Sequence, residues 1–160
     1  GGINYKYVID RLDVIDDGRS VIIDYKTGNV NRNDWQGERL KSPQMPLYAL
    51  AVDKIKGKPV SGIAFAQVKQ SETKYLELSE TDIFRKQNAY SLKTEQLWQQ
   101  SREAWPEIFT QLAQDFLDGQ ASVNPVDKST CQYCELSSMC RISQLRQQSD
   151  GVSAAAKEGL

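Results

Sequence analysis

The sequence predicts an α/β fold: a mixed central β-sheet flanked by helices, followed by a C-terminal segment that bears cysteines. Three observations carry this. Two strand-like runs, 4–16 and 21–26, meet at Asp16-Asp17-Gly18-Arg19, where Asp-Gly supplies a hairpin turn. A helical run at 42–56 separates the second of them from an apolar run at 60–69, and strand–helix–strand order predicts a parallel crossover. From Thr81 the pattern turns helical and leads toward Cys131, Cys134 and Cys140.

Alternation of Tyr5, Tyr7 and Ile9, then Leu12 and Val14, predicts one long strand from Asn4 to Asp16. Val21-Ile22-Ile23 is apolar enough for the centre of a sheet, and its strand ends in Asp24-Tyr25-Lys26 before Thr27-Gly28. Residues 29–41 are polar and irregular. Their Arg32, Trp35, Arg39 and Lys41 fit either a solvated loop or a basic, aromatic lip suited to backbone phosphates and a stacked base. Ser42 and Pro43 read as the N-cap and first residue of a helix, and Pro46 falls in the first turn, where proline costs least. Leu47, Leu50, Ala51 and Ile55 are its expected core contacts, and Gly57-Lys58-Pro59 ends it. Val60 to Lys69 is the next strand, and Tyr75 to Leu78 a short edge strand. Further on, Glu95 to Arg102 is the clearest helical stretch. Pro106 is expected to interrupt it and begin a fresh helix to Leu117, with Trp98, Trp105, Ile108, Phe109, Leu112 and Phe116 as an apolar stripe. Asp118-Gly119 ends that helix, 121–128 is an extended connector, and 147–160 a flexible tail.

A chain of 160 residues supports one domain with a real core, here 1–146, including a cysteine segment at 129–142. The net charge is −1, so composition does not mark a nucleic-acid binder, and a local basic groove would have to serve. No apolar stretch is long enough to cross a membrane, and no signal peptide opens the chain. Nothing indicates secretion, so the reducing cytoplasm is the expected location. Gly1-Gly2 in place of Met reads as the start of a piece cut from a larger protein. The 3 cysteines have C-x2-C-x5-C spacing and are odd in number, which disfavours a disulfide framework and favours zinc or an iron–sulfur cluster.

Side chains alternate along a strand, so Asp24 and Lys26 share one face and Tyr25 takes the other. An Asp on the neighbouring first strand can face the same side; Asp13 is the alternate to Asp10 there, although, three residues on, it takes the opposite face of a regular strand. Two carboxylates and a lysine on one sheet face can hold a divalent metal and a water. Magnesium prefers oxygen and keeps several waters, so one or two carboxylates suffice when a phosphate supplies the rest. Taken by itself, Asp24-Tyr25-Lys26 reads first as a surface hairpin with an ion pair worth about 0–1 kcal/mol, because such triplets are common by chance. Gln44 and Tyr48 are four apart and share a helix face.

Together, Ile9-Asp10-Arg11-Leu12-Asp13, Ile23-Asp24-Tyr25-Lys26-Thr27-Gly28, the Gln44/Tyr48 pair and the terminal cysteines resemble the RecB-like branch of the PD-(D/E)XK nucleases, from about Val8 to Ile142. The resemblance implies a restriction-endonuclease-like core. It implies an Mg²⁺- or Mn²⁺-dependent DNA exonuclease of repair or recombination, the C-terminal nuclease domain of a larger, helicase-associated protein. Asp10, Asp24 and the Tyr25 carbonyl would hold the metal, Lys26 would position the attacking water, and Gln44 and Tyr48 would lie beside the site. Cys131, Cys134 and Cys140 would supply three ligands of a 4Fe–4S cluster in the full-length protein; the family's fourth, upstream cysteine is not in this sequence. The implied partners are DNA and a helicase or helicase-like subunit. Val8 stands where the family often has glycine, and the family's upstream Glu or His motif is not found, so this piece is expected to cut weakly or not at all. CRISPR-associated single-strand exonucleases share the strand motif and cysteine tail. The alternative from another class is a catalytically silent nuclease-like domain that binds DNA or scaffolds a helicase; a third is a metal-stapled interaction module.

Overall fold

Ser20-Val21-Ile22-Ile23 pairs on both sides, and the sheet grows from it. The computed structural model describes residues 3–57, 59–70, 72–84, 92–132, 134–142 and 144. Strand β1 (Arg11–Val14) runs antiparallel to β2 (Ser20–Lys26), with Arg11 opposite Ile23 and Val14 opposite Ser20. Gly18 closes the hairpin at φ 82°, a conformation that costs glycine little. Arg19 braces the turn through ion pairs to Asp17 (2.5 Å) and Glu80 (2.6 Å).

The sheet has four strands in the order β1-β2-β3-β4. Strand β3 (Val60–Val68) is parallel to β2, and β4 (Thr73–Ser79) is its antiparallel edge neighbour. A parallel pair needs a crossover, and helix α1 (Gln44–Lys56) provides it. The expected mixed sheet flanked by helices is therefore the observed one. One face carries Ile22, Ile63, Phe65 and Leu78 against Trp35, against Tyr48, Ala49 and Val52 of α1, and against Trp98 and Trp105 of helix α2 (Leu92–Leu117). The other face carries Val21, Ile23 and Ala66 under Ile15, Tyr75, Ile83 and Phe84. Gly62 permits that second layer: a Cβ there would meet Ile83 Cδ1 at 2.6 Å and Ser79 Cβ at 2.8 Å.

Several expectations need correction. The first strand is four residues long, and 3–10 lie outside any strand, because this edge segment has only β2 to pair with and the ladder stops at Arg11. Helix α1 starts at Gln44 with Pro43 at the cap position, and Ser42 does not cap it. Its buried face is Met45, Pro46, Tyr48, Ala49 and Val52, while Ile55 is 76% exposed. Met45 to Val52 is a nearly unbroken apolar run, so periodicity left the helix phase open. Pro106 lies inside a continuous α2. An interior proline costs about 3 kcal/mol. Trp98 and Trp105, edge to face at 5.7 Å before it, and Ile108 and Phe109 after it, anchor the helix to the core. Leu112 and Phe116 are exposed rather than part of the stripe.

Trp35 is neither a loop residue nor a lip. It ends a short 3-10 turn, Arg32–Trp35, is fully buried, and packs 4.4 Å from Phe65. Its carbonyl accepts the Trp105 indole N–H at 3.0 Å. Residues 81–84 are not helical, and the rest of the helix expected before Leu92, with the tail 147–160, lies outside the described residues.

The chain divides into two compact units, Gly1–Asp118 and Gly119–Leu160. Within the second, Asp127 caps a 3-10 turn (Lys128–Cys131) by accepting the Thr130 N–H at 3.1 Å, and α3 (Ser137–Cys140) is a single turn. No helix among the described residues is long and apolar enough to cross a membrane.

Candidate active site

Strand pleating sets the site. Asp24 and Lys26 are two residues apart on β2 and project to the face that α1 covers. Arg11 lies opposite Ile23, so Asp10, one residue earlier, falls beside Asp24. The Asp10 carboxylate Oδ2 accepts the backbone N–H of Tyr25 at 3.2 Å, which ties the end of β1 to the strand that carries Asp24 and Lys26. Asp13 is opposite Val21 on the other face, where it pairs with Arg11 at 2.7 Å. Arg11 also donates to the Tyr25 hydroxyl at 3.1 Å. The carboxylate nearest Asp24 from the first strand is therefore Asp10, and Arg11 is engaged on the opposite face.

Asp24 is only 4% exposed. Its Oδ2 lies 2.6 Å from Lys26 Nζ, yet it has no hydrogen-bond partner among the described residues. The pair is thus a charge contact without hydrogen-bond geometry. A buried carboxylate oxygen left this way is costly, and such an oxygen is suited to a cation. Among the described residues no group of three or more His, Cys, Asp or Glu could hold a metal. Mg²⁺ retains waters and takes phosphate oxygens, so one or two protein carboxylates can serve it without such a group.

Gln67 is a buried polar residue that sequence reasoning passed over inside an apolar strand. It is in register with Lys26, and its amide Nε2 donates to Gly28 O at 2.6 Å. Lys69 Nζ donates to Asn29 Oδ1 at 3.1 Å. Together they fix the backbone that leaves β2 just after Lys26.

Gln44 and Tyr48 do meet: Gln44 Nε2 donates to the Tyr48 hydroxyl at 2.7 Å. They line a groove of about 320 Å³ with Tyr5, Lys6, Tyr7 and Leu112, and none of Asp10, Asp24 or Lys26 lines it. From sequence, Tyr5 and Tyr7 are expected only as strand residues, and Lys6 is given no role. The available signal was two tyrosines flanking a lysine just upstream of Asp10.

On the far face, Glu77 of β4 lies opposite Ala64, itself opposite Ile23. Burial, then the nearby charge of Asp82, push its carboxyl up to about 7. It is remote in register from the Asp24 face and belongs to the second core layer.

Cys131 and Cys140 are half-buried and Cys134 is exposed, and none of the three is in a disulfide among the described residues. They do not form a ligand cluster among the described residues. A 4Fe–4S cluster takes four thiolates, so the three present do not fit one by themselves.

A model of the family described as the PD-(D/E)XK nuclease superfamily matches residues 7–141. No curated protein and no solved structure matches the chain.

Proposed function

The chain belongs to the PD-(D/E)XK nuclease superfamily, and from that premise we propose that it hydrolyses DNA phosphodiesters as a metal-dependent exonuclease domain of the RecB-like branch. One observation supports the reading above others: Asp24 Oδ2 is buried without a hydrogen-bond partner among the described residues, beside Asp10 and Lys26. Asp10, Asp24 and the Tyr25 carbonyl are the residues that would hold Mg²⁺ or Mn²⁺. The ion, when bound, supplies a water of lowered pKa and neutralises charge building on phosphorus. Lys26 orients the attacking water by hydrogen bonding, and its ammonium stabilises negative charge on the phosphoryl oxygens as the P–O bond to the leaving nucleotide breaks. Gln67 holds the Thr27-Gly28 turn and so keeps the Lys26 backbone in place. A repair role, a cytoplasmic location and a helicase or helicase-like partner belong to the same reading. A 4Fe–4S cluster would require a further thiolate beyond Cys131, Cys134 and Cys140.

The test uses end-labelled linear single- and double-stranded DNA, with Mg²⁺ or with EDTA. Weak cutting is expected, and only with Mg²⁺, and Lys26→Ala is expected to lower its rate about 100- to 1000-fold, the loss typical of one removed transition-state donor. No cutting by a folded protein in any metal would favour the silent DNA-binding domain.

A further inference from the structure

The groove beside the proposed site has a chemistry that the catalytic residues do not explain. We propose that it is a stacking subsite for an unpaired base of single-stranded DNA, an inference that rests on the nuclease reading and deepens it. Tyr5 is 51% exposed, its ring 6.2 Å from that of Tyr7. Tyr7 is in turn held edge-on against Tyr48 at 5.8 Å. Tyr48 is fixed in the core and bonded to Gln44. The result is an exposed ring backed by two anchored ones, in a groove that Leu112, 56% exposed, also lines.

A protein core does not need this arrangement, because Tyr5 and Leu112 leave their apolar surface in water. An unpaired base offers the matching surface: a flat apolar face with polar edges. Aromatic platforms beside a positive charge are how proteins hold single strands without reading sequence. Lys6, exposed between the two tyrosines, supplies the charge for the flanking phosphate. Gln44 uses one amide N–H on Tyr48, which leaves its carbonyl and second N–H without a further hydrogen-bond partner among the described residues and open to a base edge. At about 320 Å³ the groove is at the small end of ligand pockets, too small for a paired duplex end to enter whole. Chain length places it near the proposed chemistry: Tyr7 is three residues before Asp10, hence within about 11 Å of it along the backbone. A strand seated on Tyr5 could therefore present a neighbouring phosphate toward Asp10 and Asp24, and paired bases could not use the groove without first being opened.

The experiment measures binding of a labelled oligothymidine, and of a blunt duplex, to the full chain carrying Asp24→Asn. Tyr5→Ala is expected to weaken single-strand binding about 10-fold, in the lower part of the range for a lost base–aromatic stack. Tyr5→Phe should bind within about 2-fold of the parent, because the ring remains. An oligonucleotide with abasic positions should lose a similar factor on the parent and nothing more on Tyr5→Ala, since both remove the same contact. Duplex binding should not respond to Tyr5→Ala. Lys6→Gln should lower the slope of log affinity against log salt by about 1. Equal single-strand affinity in Tyr5→Ala, an equal loss in Tyr5→Phe, or an equal loss on duplex would overturn the proposal. Failure of the nuclease reading is seen separately, as absent or Lys26-independent cutting. Base-dependent binding that survives such a failure would leave the groove as a binding site without the enzyme.

Discussion

Two ion pairs in the same unit, Asp53–Arg102 and Asp24–Lys26, involve carboxylates that differ in an unexpected direction. Asp53, on α1, is the more exposed of the two, yet both its oxygens have partners. Oδ1 accepts the Val60 N–H at 2.6 Å, and Oδ2 takes the Arg102 guanidinium. That guanidinium also lies 5.4 Å from the Trp98 ring and 5.5 Å from Trp105. Asp24 is the more deeply buried, and its Oδ2 has only the charge of Lys26. The first pair joins α1, the start of β3 and α2 into one corner. The second leaves a cost unresolved in the centre of the sheet. Proteins keep such costs where they bind or react, because a fully satisfied group has nothing left to offer a ligand.

This contrast can be tested by stability. The largest expected effect is at the Asp53–Arg102 pair, whose carboxylate is fully partnered although Arg102 Nη1 is buried without a hydrogen-bond partner among the described residues. Arg102→Ala should lower the unfolding free energy by about 3 kcal/mol, since it strands Asp53 and removes the cation from between two tryptophans. Asp53→Ala should cost similarly, and the double variant should cost much less than the sum, which a denaturant-based double-mutant cycle reads directly.

Glu77 comes next and adds a pH signature. Its carboxyl titrates near 4.5 in the ordinary state and about 7 in the folded one. Between those values the folded chain holds a proton that the unfolded chain has lost. Stability is therefore unaffected by this group below about pH 4.5, and falls as pH rises toward 7. Glu77→Gln should remove that fall and stabilise the protein at pH 8 by roughly 2 kcal/mol relative to the parent, less than the full shift is worth because solvent screens this part-exposed group. Thermal melts at pH 5 and pH 8 would check it; an unchanged slope would show that Glu77 is not the group responsible.

The smallest stability effect is expected at the unsatisfied pair. Asp24→Asn should shift the unfolding free energy by less than about 1 kcal/mol, in either direction, while abolishing cleavage. A loss as large as that of Arg102→Ala would make Asp24 a structural residue and erase the contrast.

The parts of this molecule legible from sequence are those fixed by local geometry. Pleating alone put Asp24 with Lys26 and separated Tyr25, and the Asp-Gly turn marked the hairpin, whereas the choice of Asp10 over Asp13 rested on the resemblance and the pairing that sets Asp10 beside Asp24 is a contact of the folded sheet. Strand–helix–strand order gave the parallel pair. What stayed hidden depends on contacts distant in sequence. Pro106 is tolerated because Trp98 and Trp105 are gripped by residues elsewhere in the chain. Trp35 sits in a polar stretch whose composition pointed outward, yet Phe65 and Trp105 draw it in. The phase of α1 was undetermined because nearly every residue from Met45 to Val52 is apolar. The groove escaped notice because its walls come from the segment before β1, from α1 and from α2, and no local pattern connects them.

The parallel pairing of β2 with β3 has a consequence for how the protein comes to exist. Asp24 faces Phe65 across that ladder, 41 positions along the chain. The hairpin that brings Asp10 to Asp24 closes over a short loop and can form early. Its outer flank must wait for α1 to cross over and for β3 to dock, a closure of long sequence separation and therefore slow. Until then the acidic pair is open to water and Asp24 is an ordinary solvated carboxylate. The buried environment of Asp24 is thus a late product of folding, and a chain caught before that step would carry Asp10, Asp24 and Lys26 without the setting on which the proposed chemistry depends.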